Sequence, residues 1–396
     1  MRILYLSFDP GIPYWGTKGA SIHIREFTKA LKESGHRITT AVARLGYSHR
    51  KAKEVYALPK MDSGFFRQEN PEQRHLLAET KAFAQNFGLR KLLKKIKTKK
   101  FDLVYERYSL FGIAGLSWAK ENRLPFVLEV NSPLVVEAKT HRQLMLEPLA
   151  RAVEQYLFAG ADHLVAVSET VKDYIHSIAP RAAVTVVPNG VDIRPFLKIR
   201  ASNGVPQKRG QEKFLVGFVG SLKPWHGLEF LLEAFRQLPE NFELRVVGDG
   251  PLRADLENLA RRLDLQGRVT FSGTVNFDEI PKTLKSLDVL VAPYPQMDGF
   301  YFSPLKIFEY MAAGKPIVAS RIGQVAEILE DGKTALLVPP EKPEALASAL
   351  MRLRNDEKLG DRLGRQARET VQKKHTWKAR LKTVDLIFQS LTGRKK

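Results

Sequence analysis

Three loops in the sequence carry the residue types that hold a phosphate. The first, DPGIPYWGTKGAS at 9–21, places glycines at 11, 16 and 19 before a helical pattern that opens at Ala20. Backbone N–H groups at a helix N-terminus attract an anion, and glycine lets the backbone approach it closely. The spacing is not G-x-G-x-x-G, which argues against a nicotinamide or flavin enzyme. The second, FLVGFVGSLKPWHG at 214–227, ends an apolar strand at Gly220 and continues with Ser221, Lys223 and His226. Lys223 and His226 are candidates to offer positive charge or hydrogen-bond donors to a diphosphate. Their plainer reading is a solvated lysine and a histidine packed beneath Trp225. The third, YPQMDGFYFSPLKIFEYMAAGK at 294–315, is a polar and aromatic loop that turns into a helix. Its pattern predicts Ser303 as N-cap, Pro304 at the first helical position, a helix over Leu305–Ala313 and a stop at Gly314. Lys306 then lies in the first turn of a second anion-binding mouth. Glu309 falls one turn on, where a carboxylate suits sugar hydroxyls such as a ribose diol better than phosphate. The alternative is a surface glutamate on an amphipathic helix.

Other chemistry is excluded or weak. The chain has no cysteine, so disulfides, thiolate metal sites, Fe–S clusters and cysteine nucleophiles are ruled out. No Asp-x-Asp pair stands near the loops. The nearest acidic cluster is Asp249 in VVGDGP, which reads as a strand-end turn rather than a metal site. His23, on the first turns of the Ala20 helix, is a candidate to face an acceptor, with an ordinary helix-face histidine as its equal. Glu129 sits inside an apolar strand, FVLEV, which favours a structural or orienting role over that of a base.

These loops need a scaffold. At 396 residues, 44% hydrophobic and 27% charged, the chain is globular and long enough for two domains. Short β-branched runs alternate with helical patterns, predicting strands at Ile3–Phe8, Ile38–Ala43, Leu103–Tyr105, Phe126–Val130, His163–Val167 and Val184–Val187. After 194–213, a polar stretch rich in Pro, Gly and charge that reads as a linker, they resume. The second set is Phe214–Val219, Leu244–Val247, Val269–Phe271, Val289–Ala292, Ile317–Ala319 and Ala335–Val338. Apolar strands separated by amphipathic helices imply parallel sheets covered on both faces, here in domains at 1–193 and 214–376. Ligands in such sheets lie at the carboxyl ends of the strands, where all three loops fall. No apolar run is long enough to span a bilayer, and MRILYLSFDPG reads as a first strand rather than a signal peptide. A cytoplasmic protein is expected.

The net charge of +20 is uneven. Residues 1–100 carry a balance of +13 and residues 371–396 a balance of +7, while the middle is neutral. Nucleic acid or an anionic membrane surface would explain such a bias, but no nucleic-acid-binding module is present. The stretch GLRKLLKKIKTKK at 88–100 sets Leu89, Leu92, Leu93 and Ile96 on one helical face. It is either a helix packed on a sheet with a basic back or one that lies on anionic lipid.

The motifs resemble those of the retaining glycosyltransferases of family four, an α/β class with the GT-B fold: two facing Rossmann-like domains with a cleft between them. The resemblance rests on GTKGASIHIREFTKAL, DLVYERYSL, VLEVNSPL, LVAVSETVKDYI and VPNGVDIRPF in the first half. In the second it rests on VGFVGSLKPWHGLEFLLEAF, LRVVGDGPLRADLE, VTFSGTV, SPLKIFEYMAAGKPIVAS and GKTALLVPP. It implies a nucleotide sugar, UDP- or GDP-linked, bound by the second domain, and a glycan or lipid-linked acceptor held by the first. It also implies a last helix, at about 377–391, that packs back on the first domain. Carried over by position, Gly19 would meet the sugar donor's phosphates and Val275 its base. Ser303, Pro304, Leu305 and Lys306 would hold phosphate and sugar, and Glu309 the ribose.

Three departures stand out. Ser221 and His226 replace the Arg and Lys that commonly grip the diphosphate. Tyr301 replaces the first of two paired glutamates, and Asn131 replaces a histidine near the donor sugar. Lys223, His226 and Lys306 would then supply the cationic or donor groups, with Asn131 beside the reacting sugar. A retaining hexosyl transfer without metal or other cofactor is expected, in which the donor phosphate itself takes the acceptor's proton. A non-catalytic nucleotide-sugar-binding relative is the first alternative, and a basic nucleic-acid-binding protein the second.

Overall fold

The computed structural model describes residues 1–47, 54–59, 70–96, 100–199 and 213–394. The chain divides into two units. One comprises Met1–Asn189, Tyr301–Ser303 and Arg380–Lys396, and the other Gly190–Phe300 and Pro304–Ala379.

The first unit is built on strands β1 (Arg2–Ser7), β2 (Arg37–Val42), β3 (Val55–Ala57), β4 (Leu103–Arg107), β5 (Phe126–Val130), β6 (His163–Ala166) and β7 (Val184–Val186). They form one parallel sheet in the order β3-β2-β1-β4-β5-β6-β7. The second unit has β8 (Phe214–Val219), β9 (Phe242–Val247), β10 (Val269–Gly273), β11 (Val289–Ala292), β12 (Ile317–Ser320) and β13 (Leu336–Val338). Their order, β10-β9-β8-β11-β12-β13, is again parallel. Each sheet reverses its winding once, between β1 and β4 and between β8 and β11. At such a switch point the strand-end loops part and leave a crevice for a ligand.

Local sequence explains the elements. In the helix Gly19–Glu33, Ile24, Phe27 and Leu31 are buried, a stripe at helical spacing whose removal from water stabilises the fold by about 1.5–3 kcal/mol per side chain. Ser34 caps the helix, and Gly35 follows with φ of +88°. The long helix Pro71–Ile96 buries Leu89, Leu93 and Ile96 in the first core, with Leu92 partly buried against it. Its apolar face is therefore used by the sheet, and Arg90, Lys91, Lys94 and Lys95 are exposed. Residues 97–99 of that basic stretch lie outside the described residues. The last helix, Trp377–Thr392, buries Leu381, Val384, Ile387 and Phe388, and Asp385 meets His36 at 2.8 Å.

Two local elements were not read from the sequence. The edge strand Val55–Ala57 has no alternating signal; it is short, half-buried and recruited by pairing with β2. The segment read as linker begins with a helix, Arg194–Lys198, because Asp192 accepts from the Arg194 N–H and Pro195 fits the first turn, burying Phe196. Residues 200–212 of that segment lie outside the described residues. Among the described residues no helix is long and apolar enough to cross a membrane.

Candidate active site

In the second unit the loops after β8 and β11 interlock. Gly227 has φ of +63°, and a Cβ there would fall 2.0 Å from the Pro293 carbonyl oxygen. Only glycine admits this contact, which brings His226 against Tyr294 with ring centroids 5.9 Å apart. The His226 Nδ1–H donates to the Ser221 carbonyl, leaving Nε2 with its lone pair. Burial, reinforced by Lys306 and Lys223, drives the imidazole well below its ordinary pKa. Of the two roles expected of His226, positive charge or a hydrogen-bond donor, the lowered pKa speaks against the charge, and Nε2 is left as an acceptor. Ser221 is exposed, and the Lys223 ammonium lies 5.5 Å from the Trp225 ring centroid.

Lys306 is the unusual group. Its Nζ is buried and has no hydrogen-bond partner among the described residues. It stands 4.1 Å from the Phe218 ring centroid and 5.6 Å from that of Tyr294, beside Gly220 at the end of β8. Burial pushes it down to about 7, against the pull of Glu309 one turn along. It belongs to the helix Leu305–Ala313, closed by Gly314 at φ of +70°. The N-cap is Pro304, with no side-chain cap, so Ser303 does not play that role. The Ser303 hydroxyl instead accepts from the Asn189 N–H at 2.9 Å, and its carbonyl accepts from the Asn189 side-chain amide at 2.6 Å. Leu305 opens the helix, and the half-buried Val275 sits in the turn after β10. The Tyr301 hydroxyl reaches Glu137 at 3.5 Å, and its carbonyl accepts from Ser168 at 2.9 Å. Its phenol is thus tied to a carboxylate. Asp249 of VVGDGP is held by the Gly250 N–H and by Arg253.

In the first unit, Ser7, Arg107 and Glu129 lie in register across β1, β4 and β5. Burial alone would raise the Glu129 carboxyl. His23, at 2.9 Å, Arg107 and the Asn131 amide, also at 2.9 Å, hold it below the ordinary value instead. His23 stacks on Phe27, and its Nδ1 is 3.4 Å from Arg107. Asn131 thus orients Glu129, and an amide cannot serve as a base. Glu129 Oε2, Asn131 Oδ1 and the Ser7 hydroxyl are buried with no partner among the described residues. Such atoms suit water or ligand hydroxyls. Gly19 is exposed at the first position of its helix, whose N-cap, Lys18, provides no side-chain cap. The loop before it is held by Arg25, which donates to the carbonyls of Tyr14 and Gly16. Sequence reasoning missed Arg25, Arg107, Asn189 and Tyr294. Only Arg107, a cation ending the buried strand LVYER, left a local signal.

Residues 17–194 match the family model described as Glycosyltransferase Family 4, and residues 213–356 match the model described as Glycosyl transferases group 1. The chain belongs to these glycosyltransferases. An uncharacterized glycosyltransferase of Methanocaldococcus jannaschii is 26% identical over 375 residues, 91% of each chain. Among solved structures, sucrose-phosphate synthase from Thermosynechococcus elongatus is similar at a TM-score of 0.77 and 22% identity, covering 99% of this chain and 100% of that one. The HepE protein of Anabaena in complex with UDP-glucose gives 0.72 and 20%, covering 99% and 100%. These likenesses identify the two Rossmann-like halves as the GT-B fold. The glycosyltransferase therefore carries its polar side chains at the switch points of both sheets.

Proposed function

We propose that this glycosyltransferase moves a hexosyl-type sugar from a UDP- or GDP-linked donor to a hydroxyl of a glycan or lipid-linked acceptor, with retention of configuration and without a metal ion or other cofactor. The observation that carries the reading is Lys306, a buried amine at the β8/β11 switch point with no hydrogen-bond partner among the described residues. It lies in the first turn of a helix whose leading N–H groups have no side-chain cap. Departure of a nucleoside diphosphate builds negative charge, and preorganised positive groups aimed at it lower the barrier most. Lys306, Lys223 and the helix terminus supply such groups. His226 Nε2 accepts from a sugar hydroxyl, and Glu309 from the ribose. A neighbour of the same fold was solved with UDP-glucose, which favours uridine as the base.

In the first unit the orphaned oxygens of Glu129 and Asn131 suit an acceptor hydroxyl. The donor phosphate takes that hydroxyl's proton on the face from which it leaves. The exposed basic residues of Pro71–Ile96 favour an anionic acceptor or a lipid surface carrying it, since each contributes about 1 kcal/mol near such a surface. Incubation with UDP- and GDP-sugars in EDTA, followed by NMR of the released sugar or product, tests the reading. Loss of activity in EDTA that magnesium restores, or an inverted anomeric centre, would overturn the corresponding part. Donor binding without hydrolysis or transfer would favour the non-catalytic relative. Flotation with anionic and neutral liposomes tests the surface.

A further inference from the structure

An amine that is sealed from water and left unpaired is held better without its proton. Lys306 is in that position. From β8, Phe218 and Gly220 face it. From the loop after β8 comes the neutral His226, which also feels Lys223, and from the loop after β11 comes the Tyr294 ring. From its own helix come Glu309, one turn away, and Tyr310, whose hydroxyl donates to the Val219 carbonyl. Among the described residues the surroundings thus offer two ring faces and one nearby carboxylate, but no hydrogen bond to Nζ.

We infer that, above neutral pH, binding of a nucleoside diphosphate draws a proton onto Lys306, so that this amine becomes cationic as the diphosphate occupies the site. This rests on the donor reading above and adds a coupling to it: affinity for the diphosphate follows the solution's protons. Below neutral pH the ammonium is already present and binding recruits little. Above it, each diphosphate that binds brings a proton with it. The amine is pushed to about 7 by burial, and a phosphate dianion beside it restores the charged form.

The test is calorimetry of the full-length chain with UDP at pH 8, in two buffers of low and high ionisation enthalpy. The expected result is uptake of close to one proton per UDP, and a Kd that rises towards tenfold per pH unit above pH 8. Uridine, which lacks phosphate, should bind without uptake. Lys306→Met replaces an unpaired buried amine by an apolar chain of similar length and should fold. It should bind UDP at least tenfold more weakly, and without uptake. Lys306→Arg keeps a permanent charge and should bind with no proton change. His226→Gln should retain the uptake. UDP binding by the wild type with no buffer-dependent heat, or uptake that persists in Lys306→Met, would overturn the inference and leave the donor reading standing. Failure of UDP and GDP alike to bind would overturn both.

Discussion

Glu106 and Glu129 lie on adjacent strands and are 1% and 3% exposed, yet they should respond to pH in opposite directions. Glu129 pairs in register with Arg107, so Glu106 points to the other face of the sheet. There Oε2 has no hydrogen-bond partner among the described residues and lies where a Cβ on Gly115 would come within 1.7 Å. Burial pushes Glu106 from 4.5 up to about 8, so it is a neutral acid at pH 7. A raised folded pKa means that its contribution is fully present below the unfolded value of 4.5 and is lost as pH rises through about 8. At pH 7 that loss covers most of the interval between pH 4.5 and 7, or about 3 kcal/mol at 1.36 kcal/mol per unit. Glu106→Gln removes the titration and keeps the shape. It should flatten the stability profile between pH 5 and 8, and should raise the melting temperature of the first unit at pH 7 by roughly 6–12 °C. Thermal unfolding of both proteins across that range is the assay. Profiles that stay parallel would refute the assignment of Glu106 as a buried neutral acid.

Glu129→Gln should do the reverse. Its depressed pKa gives stability that is present above pH 4.5 and lost as pH falls, and breaking the pair with His23 should cost about 3–5 kcal/mol at neutral pH. It should also abolish sugar transfer, and an active, equally stable variant would refute the role. Gly227→Ala should destabilise the second unit by about 1–3 kcal/mol through strain at positive φ and contact with Pro293, with loss of UDP binding in a thermal-shift assay. Unchanged melting and binding would count against the interlocked loops. Arg25→Ala should leave the melting temperature nearly unchanged but speed proteolytic nicking at 9–18, because two carbonyl clamps and the contact with Trp15 at 5.8 Å are lost. Asn189→Ala should cost about 1 kcal/mol from the hydrogen bond to Ser303, read by denaturant unfolding.

The strands were legible because burial on both faces leaves near-continuous apolar runs, as in Phe126–Val130 and Val289–Ala292, and because Gly35 and Gly314 mark helix ends. Val55–Ala57 was not legible. A three-residue edge strand carries no period of its own and forms because β2 offers a partner. Ser303 looked like a cap by its local sequence, yet Asn189, distant in the chain, takes its hydroxyl. His23 and Glu129 each had a bland reading equal to or better than the functional one. Only packing joins them, with Asn131 as the orienting amide.

The sequence by itself determined the class of the protein. Alternation of elements, glycine-bearing loops at strand ends and the order of motifs are local or sequential properties, and the apolar pattern selects the sheets. Tertiary structure decided the chemical states of the buried groups: in the site a neutral His226, a Lys306 without a hydrogen bond among the described residues and a charged Glu129, and on the opposite face of the first sheet an uncharged Glu106. Charge in a folded protein depends on which groups and how much water surround an atom. In each of these cases the deciding neighbours include elements far away in the chain.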